Sequence, residues 1–221
     1  MLIRGIVKSF LFIFPLLFFS LAHAQTVDRV VIGDFSQGVD TKGVPNGWQV
    51  KEKKGKADFS VIKDSHIHAV RLRSSNTSFS LQKGVNVDVR KYPILTWKWK
   101  VTKLPEGGDF RKTRTDDQAA QLFLAFSKTR AIVYMWDTTA PRGLMDGAAS
   151  PPLMSIKAVV VRSGSEKTGT WIRETRNVYE DYQKFFGKEP PAVAGVRIQI
   201  NSQHTNTSAE SFFANVLFIK K

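Results

Sequence analysis

Apolar and polar residues alternate with a period of two along much of this chain, most clearly in YPILTWKWKV, residues 92–101. Leu95, Trp97, Trp99 and Val101 share one face of an extended backbone, and Thr96, Lys98 and Lys100 share the other. That is the pattern of a half-buried antiparallel strand. The strand spans 93–102, and extended segments are also expected at 29–35, 47–51, 57–63, 68–73, 78–82, 119–127, 131–137, 156–162, 170–177, 195–201 and 211–219. They are rich in Val, Ile, Phe, Trp and Thr, and turns such as Pro45-Asn46-Gly47, Glu106-Gly107-Gly108 and Ser163-Gly164-Ser165 separate them. About a dozen short strands with turn signals between them predict an all-β sandwich or barrel.

Two segments break the alternation. AQLFLAF (120–126) and AIVYMW (131–136) are almost continuously apolar and are joined by Ser127-Lys128-Thr129-Arg130. They predict a hairpin at the centre of a sheet, buried on both faces and the best-protected part of the fold. One short helix is expected at Val178–Phe186. Asn177 can cap it, Glu180 and Asp181 suit its first turn, and Gly187 with Pro190 and Pro191 stops it. Tyr182, Phe185 and Phe186 would form its buried stripe.

The first residues change the picture of where this chain works. Arg4 and Lys8 precede an apolar run over 10–21, and Ala22-His23-Ala24 follows, which reads as a secretory signal cleaved after Ala24. The run is short for a bilayer span, and no second run of transmembrane length follows. Residues 25–221 are therefore expected to form a single β-sandwich domain, periplasmic or secreted, with a core large enough to fold without disulfides. The sequence has no cysteine, which excludes thiol catalysis and thiolate metal sites.

Thirty-three Lys and Arg against nineteen Asp and Glu give a formal charge of +14, of which Arg4 and Lys8 carry two. An exported chain this basic favours anionic partners such as cell-envelope polysaccharide or lipopolysaccharide. Nucleic acid is the other partner that so basic a chain suits, but the export signal argues against it. The charges fall in small groups, as at Lys51, Lys53, Lys54 and Lys56, so a solvated face is the plainer reading of each group.

Several polar constellations are candidates for chemistry. Asp116 and Asp117 precede the buried hairpin and would serve as acid and base on a glycosidic bond, or as calcium ligands, if both faced one substrate. Adjacent residues of an extended chain point to opposite faces, however. The plainer expectation has one aspartate accepting backbone N–H bonds and the other paired with Arg111 or Arg114. In WIRETRNVYEDY, Arg173, Glu174, Arg176, Asn177, Asp181 and Tyr182 lie where a strand enters the helix, and they would hold a ligand or satisfy buried polar groups. Trp136 ends the central strand and, with Trp48 and Trp171, would offer an aromatic surface to a sugar ring, whereas Trp97 and Trp99 are expected in the core. His66 and His68 have the spacing of two metal ligands but no third is in view, so neither a metal nor a cofactor is expected. There is no G-x-S-x-G elbow, H-E-x-x-H pair or phosphate-cradling glycine loop.

The stretches YPILTWKWKV, TDDQAAQLFLAF, IVYMWDTT, WIRETRNVYEDYQKFFGKEPP and GVRIQINSQHTNTSAESFFANVLFIK, in this order, resemble a family of bacterial exported proteins, domain of unknown function family 3047. The resemblance spans roughly residues 30–220. It implies an envelope-located sandwich of jelly-roll type, similar in outline to galactose-binding-like and other carbohydrate-binding domains, and it implies no activity. The family pattern has an Asp-rich turn before the last strand, where this chain has Ser202-Gln203-His204-Thr205-Asn206. A non-catalytic module for envelope glycan or another anionic polymer is the preferred expectation. A polysaccharide hydrolase or lyase using Asp116, Asp117, Glu174 and Asp181 is the alternative, and a structural protein of the envelope the third.

Overall fold

The computed structural model describes residues 28–221, so the signal-peptide expectation for 1–24 lies outside the described residues. Strands β1 (Arg29–Gly33), β2 (Gln49–Lys54), β3 (Asp58–Asp64), β4 (Ile67–Ser75), β5 (Ser78–Val87) and β6 (Ile94–Lys103) come first. A 3-10 turn (Thr113–Thr115) precedes β7 (Ala120–Ala125), β8 (Arg130–Asp137), β9 (Met145–Ala148), β10 (Ser155–Ser163) and β11 (Ile172–Asn177). Helix α1 (Val178–Phe186), β12 (Val193–Asn201) and β13 (Ser208–Ile219) complete the order.

The strands form two sheets. One runs β11-β6-β13-β4-β3, with β1 pairing the second half of β13, and the other runs β2-β5-β12-β7-β8-β10-β9. The result is an all-β sandwich of the jelly-roll kind. The apolar hairpin β7–β8 lies inside the seven-stranded sheet, as its composition requires.

The tryptophans of YPILTWKWKV join the two layers. Trp97 and Trp99 are fully buried on the inner face of β6. Trp97 stacks on Tyr134 with centroids 5.5 Å apart, and Trp99 lies 5.9 Å from Trp136. Tyr134 and Trp136 belong to β8 of the opposite sheet, so each aromatic pair spans the sandwich, adding about 0.5–1.5 kcal/mol beyond its area burial.

Three details differ from the sequence expectation. Strand β9, reading MDGA, has no strand-like composition and was not expected. Strand β10 pairs with β8 in parallel, so the sandwich is not wholly antiparallel: residues 138–154 form a crossover long enough for parallel pairing, with β9 folding back antiparallel to β10 inside it. His66 sits in the β3–β4 turn beside Ser65, whose φ is 57°, and does not share the strand face of His68.

Helix α1 forms as predicted. The Asn177 side chain accepts from the Glu180 N–H at 3.3 Å, and left-handed Gly187 donates its N–H to the Gln183 carbonyl at 2.8 Å. Its buried residues are Val178, Asp181 and Tyr182, while Phe185 and Phe186 are only partly buried.

Candidate functional site

The outer face of the seven-stranded sheet divides into a covered half and an open half. Over β8 and β10 it is apolar, and Phe110, Val133, Met135, Ala158 and Val160 pack there beneath Leu144 and Ala148 of the 138–154 crossover. This explains why β8 lacks alternation: the core covers one face and the crossover the other. Over β5, β12 and the near side of β7 the face is open and polar.

Register places the open-face residues in rows. Gln49, Gln82, Arg197 and Phe123 stand side by side, as do Ser80, Gln199 and Gln121 in the next row. Beyond the first row, Gly84, Gly195 and Ala125 leave depth by lacking bulk. Two hollows of about 440 and 300 Å³ share Phe123, Met154, Ile156 and Arg197 as lining. Together they make one groove along β12 from Gly195 to Asn201, roughly 20 Å long at about 3.3 Å per residue.

Arg197 lies midway along the floor. Its guanidinium stands 3.8 Å from the centroid of the Phe123 ring, a cation–π contact. Its Nε is buried and has no hydrogen-bond partner. Burial pushes its pKa down, with no neighbouring acid acting against that shift. An arginine this enclosed ordinarily has a carboxylate beside it.

Amides continue the floor in a directed chain. Gln199 Nε2 donates to Gln121 Oε1 at 3.4 Å, Gln121 Nε2 to Asn201 Oδ1 at 2.5 Å, and Asn201 Nδ2 to the Asp116 carbonyl at 2.7 Å. Asp116 closes this end of the groove with Lys53 and His204. Burial raises the Asp116 pKa, while a 3.1 Å hydrogen bond from Gln118 and the nearby His204 charge act the other way.

Asp117 points the opposite way. It is fully buried and its Oδ2 accepts from His204 N at 2.8 Å, Thr205 N at 2.7 Å and Thr205 Oγ1 at 2.9 Å, holding the 202–206 turn in place. The plainer expectation for the pair is thus half right. Asp117 does bind backbone N–H groups, but Asp116 pairs with neither Arg111, which is bound to Asp109, nor Arg114.

The remaining candidates from the sequence are not brought to this groove. Trp136 is fully buried inside the sandwich, its Nε1 donating to the Gly164 carbonyl at 2.9 Å, so its ring offers no face to a sugar. Trp48 is buried against Phe35, and Trp171 donates its Nε1 to Asp64 at 2.8 Å. Glu174 accepts from Arg162 Nε at 2.6 Å and from Trp99 Nε1 at 3.2 Å. Asp181 is ion-paired with Arg176 and accepts from Tyr134 at 2.8 Å. Asn177 caps the helix, and Tyr182 packs fully buried between Phe126 and Phe186. Arg173 is exposed on the outer face of the other sheet, beside Arg29 and Lys98. The expectation of a joint site in WIRETRNVYEDY is corrected by these contacts: its acids and Arg176 satisfy one another and their neighbours where helix meets sheets.

Gln82, Gln121, Arg197 and Gln199 were missed. Their signal was present, since Arg197, Gln199 and Asn201 alternate with Val196, Ile198 and Ile200, but nothing local tells which strands flank them. Among the described residues no group of three His, Cys, Asp or Glu is placed to hold a metal ion.

The model of a protein family described as "Protein of unknown function (DUF3047)" matches residues 46–217. The chain belongs to the DUF3047 family. No curated protein matches it in sequence. Among solved structures, it resembles the family 11 carbohydrate-binding module of the cellulosomal cellulase Lic26A-Cel5E of Clostridium thermocellum at 11% identity and a TM-score of 0.47, over 89% of this chain and 96% of that one. It also resembles the xyloglucanase domain of NopAA from Sinorhizobium fredii, solved with cellobiose, at 10% identity and a TM-score of 0.47, over 79% and 95%. A family 29 carbohydrate-binding module is similar at 10% identity and a TM-score of 0.42, over 88% and 89%. These are likenesses of architecture; what this DUF3047 member binds is argued from its own groove.

Proposed function

We propose that this protein is a non-catalytic module of the bacterial envelope that binds a glycan chain in the groove along β12, with residues 25–221 exported as one domain. The observation that supports it most is the groove floor, where side-chain amides and one arginine take the place of a catalytic carboxylate pair. Polysaccharides present rows of hydroxyl groups, and amides offer both donor and acceptor to them. The hollows fall within or near the usual volume of ligand sites, about 300–1,000 Å³. Of Asp116, Asp117, Glu174 and Asp181, only Asp116 lines the groove, whereas glycosidic hydrolysis ordinarily needs two carboxyl groups about 5–10 Å apart across the bond. The signal-like leader and the +14 charge support the envelope as the place of action.

Isothermal titration of residues 25–221 against soluble envelope polysaccharides at low salt tests this. Binding is expected, with affinity falling at least tenfold in the Gln82→Ala/Gln199→Ala double variant and the polysaccharide's chain length unchanged after incubation. Absence of binding to every polysaccharide tried, or shortening of the chain, refutes the reading.

A further inference from the structure

The position and solvation of Arg197 narrow the ligand class. An enclosed guanidinium without an acid is costly: the effective penalty for taking an ion out of water is several kcal/mol, and the Phe123 ring offsets only about 0.5–2 kcal/mol of it. The fold keeps this cost on the floor of an open groove, where an incoming group removes it. Lys53 lies at one end of the groove, beside Asp116. Lys83, the cross-strand partner of core residue Val196, points to the other face and donates its Nζ to the Ile32 carbonyl at 3.0 Å. Arg197 and Lys53 thus face one acid, Asp116, which also has His204 beside it.

We infer that the groove takes an acidic glycan, a chain of uronic acid residues, with the carboxylate of an internal sugar docked on the Arg197 guanidinium. This rests on the groove being a glycan site. Arg197 is midway along β12's groove face, with Gly195 on one side and Gln199 and Asn201 on the other, so sugars extend past it in both directions and the recognised charge belongs to an internal ring. A planar guanidinium presents parallel N–H donors that match a carboxylate bidentately. The fork offered to the groove is the pair of Nη groups, since Nε is buried. The flanking amides of Gln82 and Gln199 are placed for the hydroxyls of the same and neighbouring rings.

The test compares oligogalacturonate and oligomannuronate with their methyl esters, which keep the sugar ring and lose the charge. The parent protein is expected to bind at least one acid form and to bind its ester at least tenfold more weakly. Arg197→Gln should weaken acid binding at least tenfold and ester binding by a clearly smaller factor. Arg197→Lys, which keeps the charge but loses the fork, should recover only part of the affinity. Equal affinity for acid and ester, or indifference of acid binding to Arg197→Gln, overturns this inference while leaving a neutral-glycan groove intact. Binding of no acid, ester or envelope polysaccharide overturns both. The thermal midpoint provides a separate readout: Arg197→Gln should equal or exceed the parent, because an unpaired buried charge is gone. A fall of several degrees would make the guanidinium a structural stack on Phe123 and count against a ligand role.

Discussion

Asp116 and Asp117 are neighbours in sequence and differ in everything else. A tight turn at Asp116, closed by the Asp117 N–H on the Thr115 carbonyl, sends one toward the groove and the other into the protein, where three donors of the 202–206 turn converge on it. Burial raises the pKa of Asp116 above its ordinary 3.8. The folded state therefore holds that proton more tightly than the unfolded chain does. This contribution to stability is complete below about pH 4 and is lost as pH rises through the raised value. Asp116→Asn is neutral throughout, so its unfolding free energy relative to the parent should rise from pH 3.5 to pH 7. Urea unfolding at several pH values checks this, and a difference that stays flat or falls contradicts the burial argument.

At the scale of elements, the polar residues near α1 act as ties. Glu174 on β11 and Arg162 on β10 belong to different sheets, and their 2.6 Å contact, with the Trp99 indole donating to the same carboxylate oxygen, links the layers at a half-dry edge. Removing one partner leaves an enclosed charge, so Glu174→Leu and Arg162→Met should each destabilise by about 3 kcal/mol. The double variant should cost clearly less than the two together, because no lone charge remains. A double-mutant cycle by urea unfolding checks it, and additive losses would show that the pair does not act as a tie. The elements themselves were largely readable. Val178–Phe186 was marked by its cap and stop signals, and β6 by its period of two. Strand β9 was not readable, because Met-Asp-Gly-Ala is extended only through its bonds to β10.

For the whole molecule, strand order decides both protection and site. Strands β12, β7 and β8 have a partner on each edge, whereas β2 and β9 end the seven-stranded sheet and β11 and β3 the other. Amide hydrogen exchange should therefore be slowest in β7, β8 and β12 and faster by orders of magnitude in β2 and β9, since edge strands open without breaking the core. Comparable protection of β2 and β12 would show the sheet order to be different. The same order makes the groove, by setting Gln82 of β5, Arg197 of β12 and Phe123 of β7 in one row.

By itself the sequence determined the sandwich class, most strand positions, the helix and the burial of Trp97 and Trp99, because alternation, capping and turn chemistry act between residues a few positions apart. Only the tertiary structure decided that β8 and β10 run parallel, that Trp136 is sealed between the sheets, and that Glu174 and Asp181 are consumed by Arg162 and Arg176. It also decided that Arg197 lies half-buried with no acid acting on it. Whether a charge is paired depends on which distant strand lies beside it, and the pairing of β12 with β5 and β7 joins residues such as Arg197 and Phe123 that are far apart in the chain.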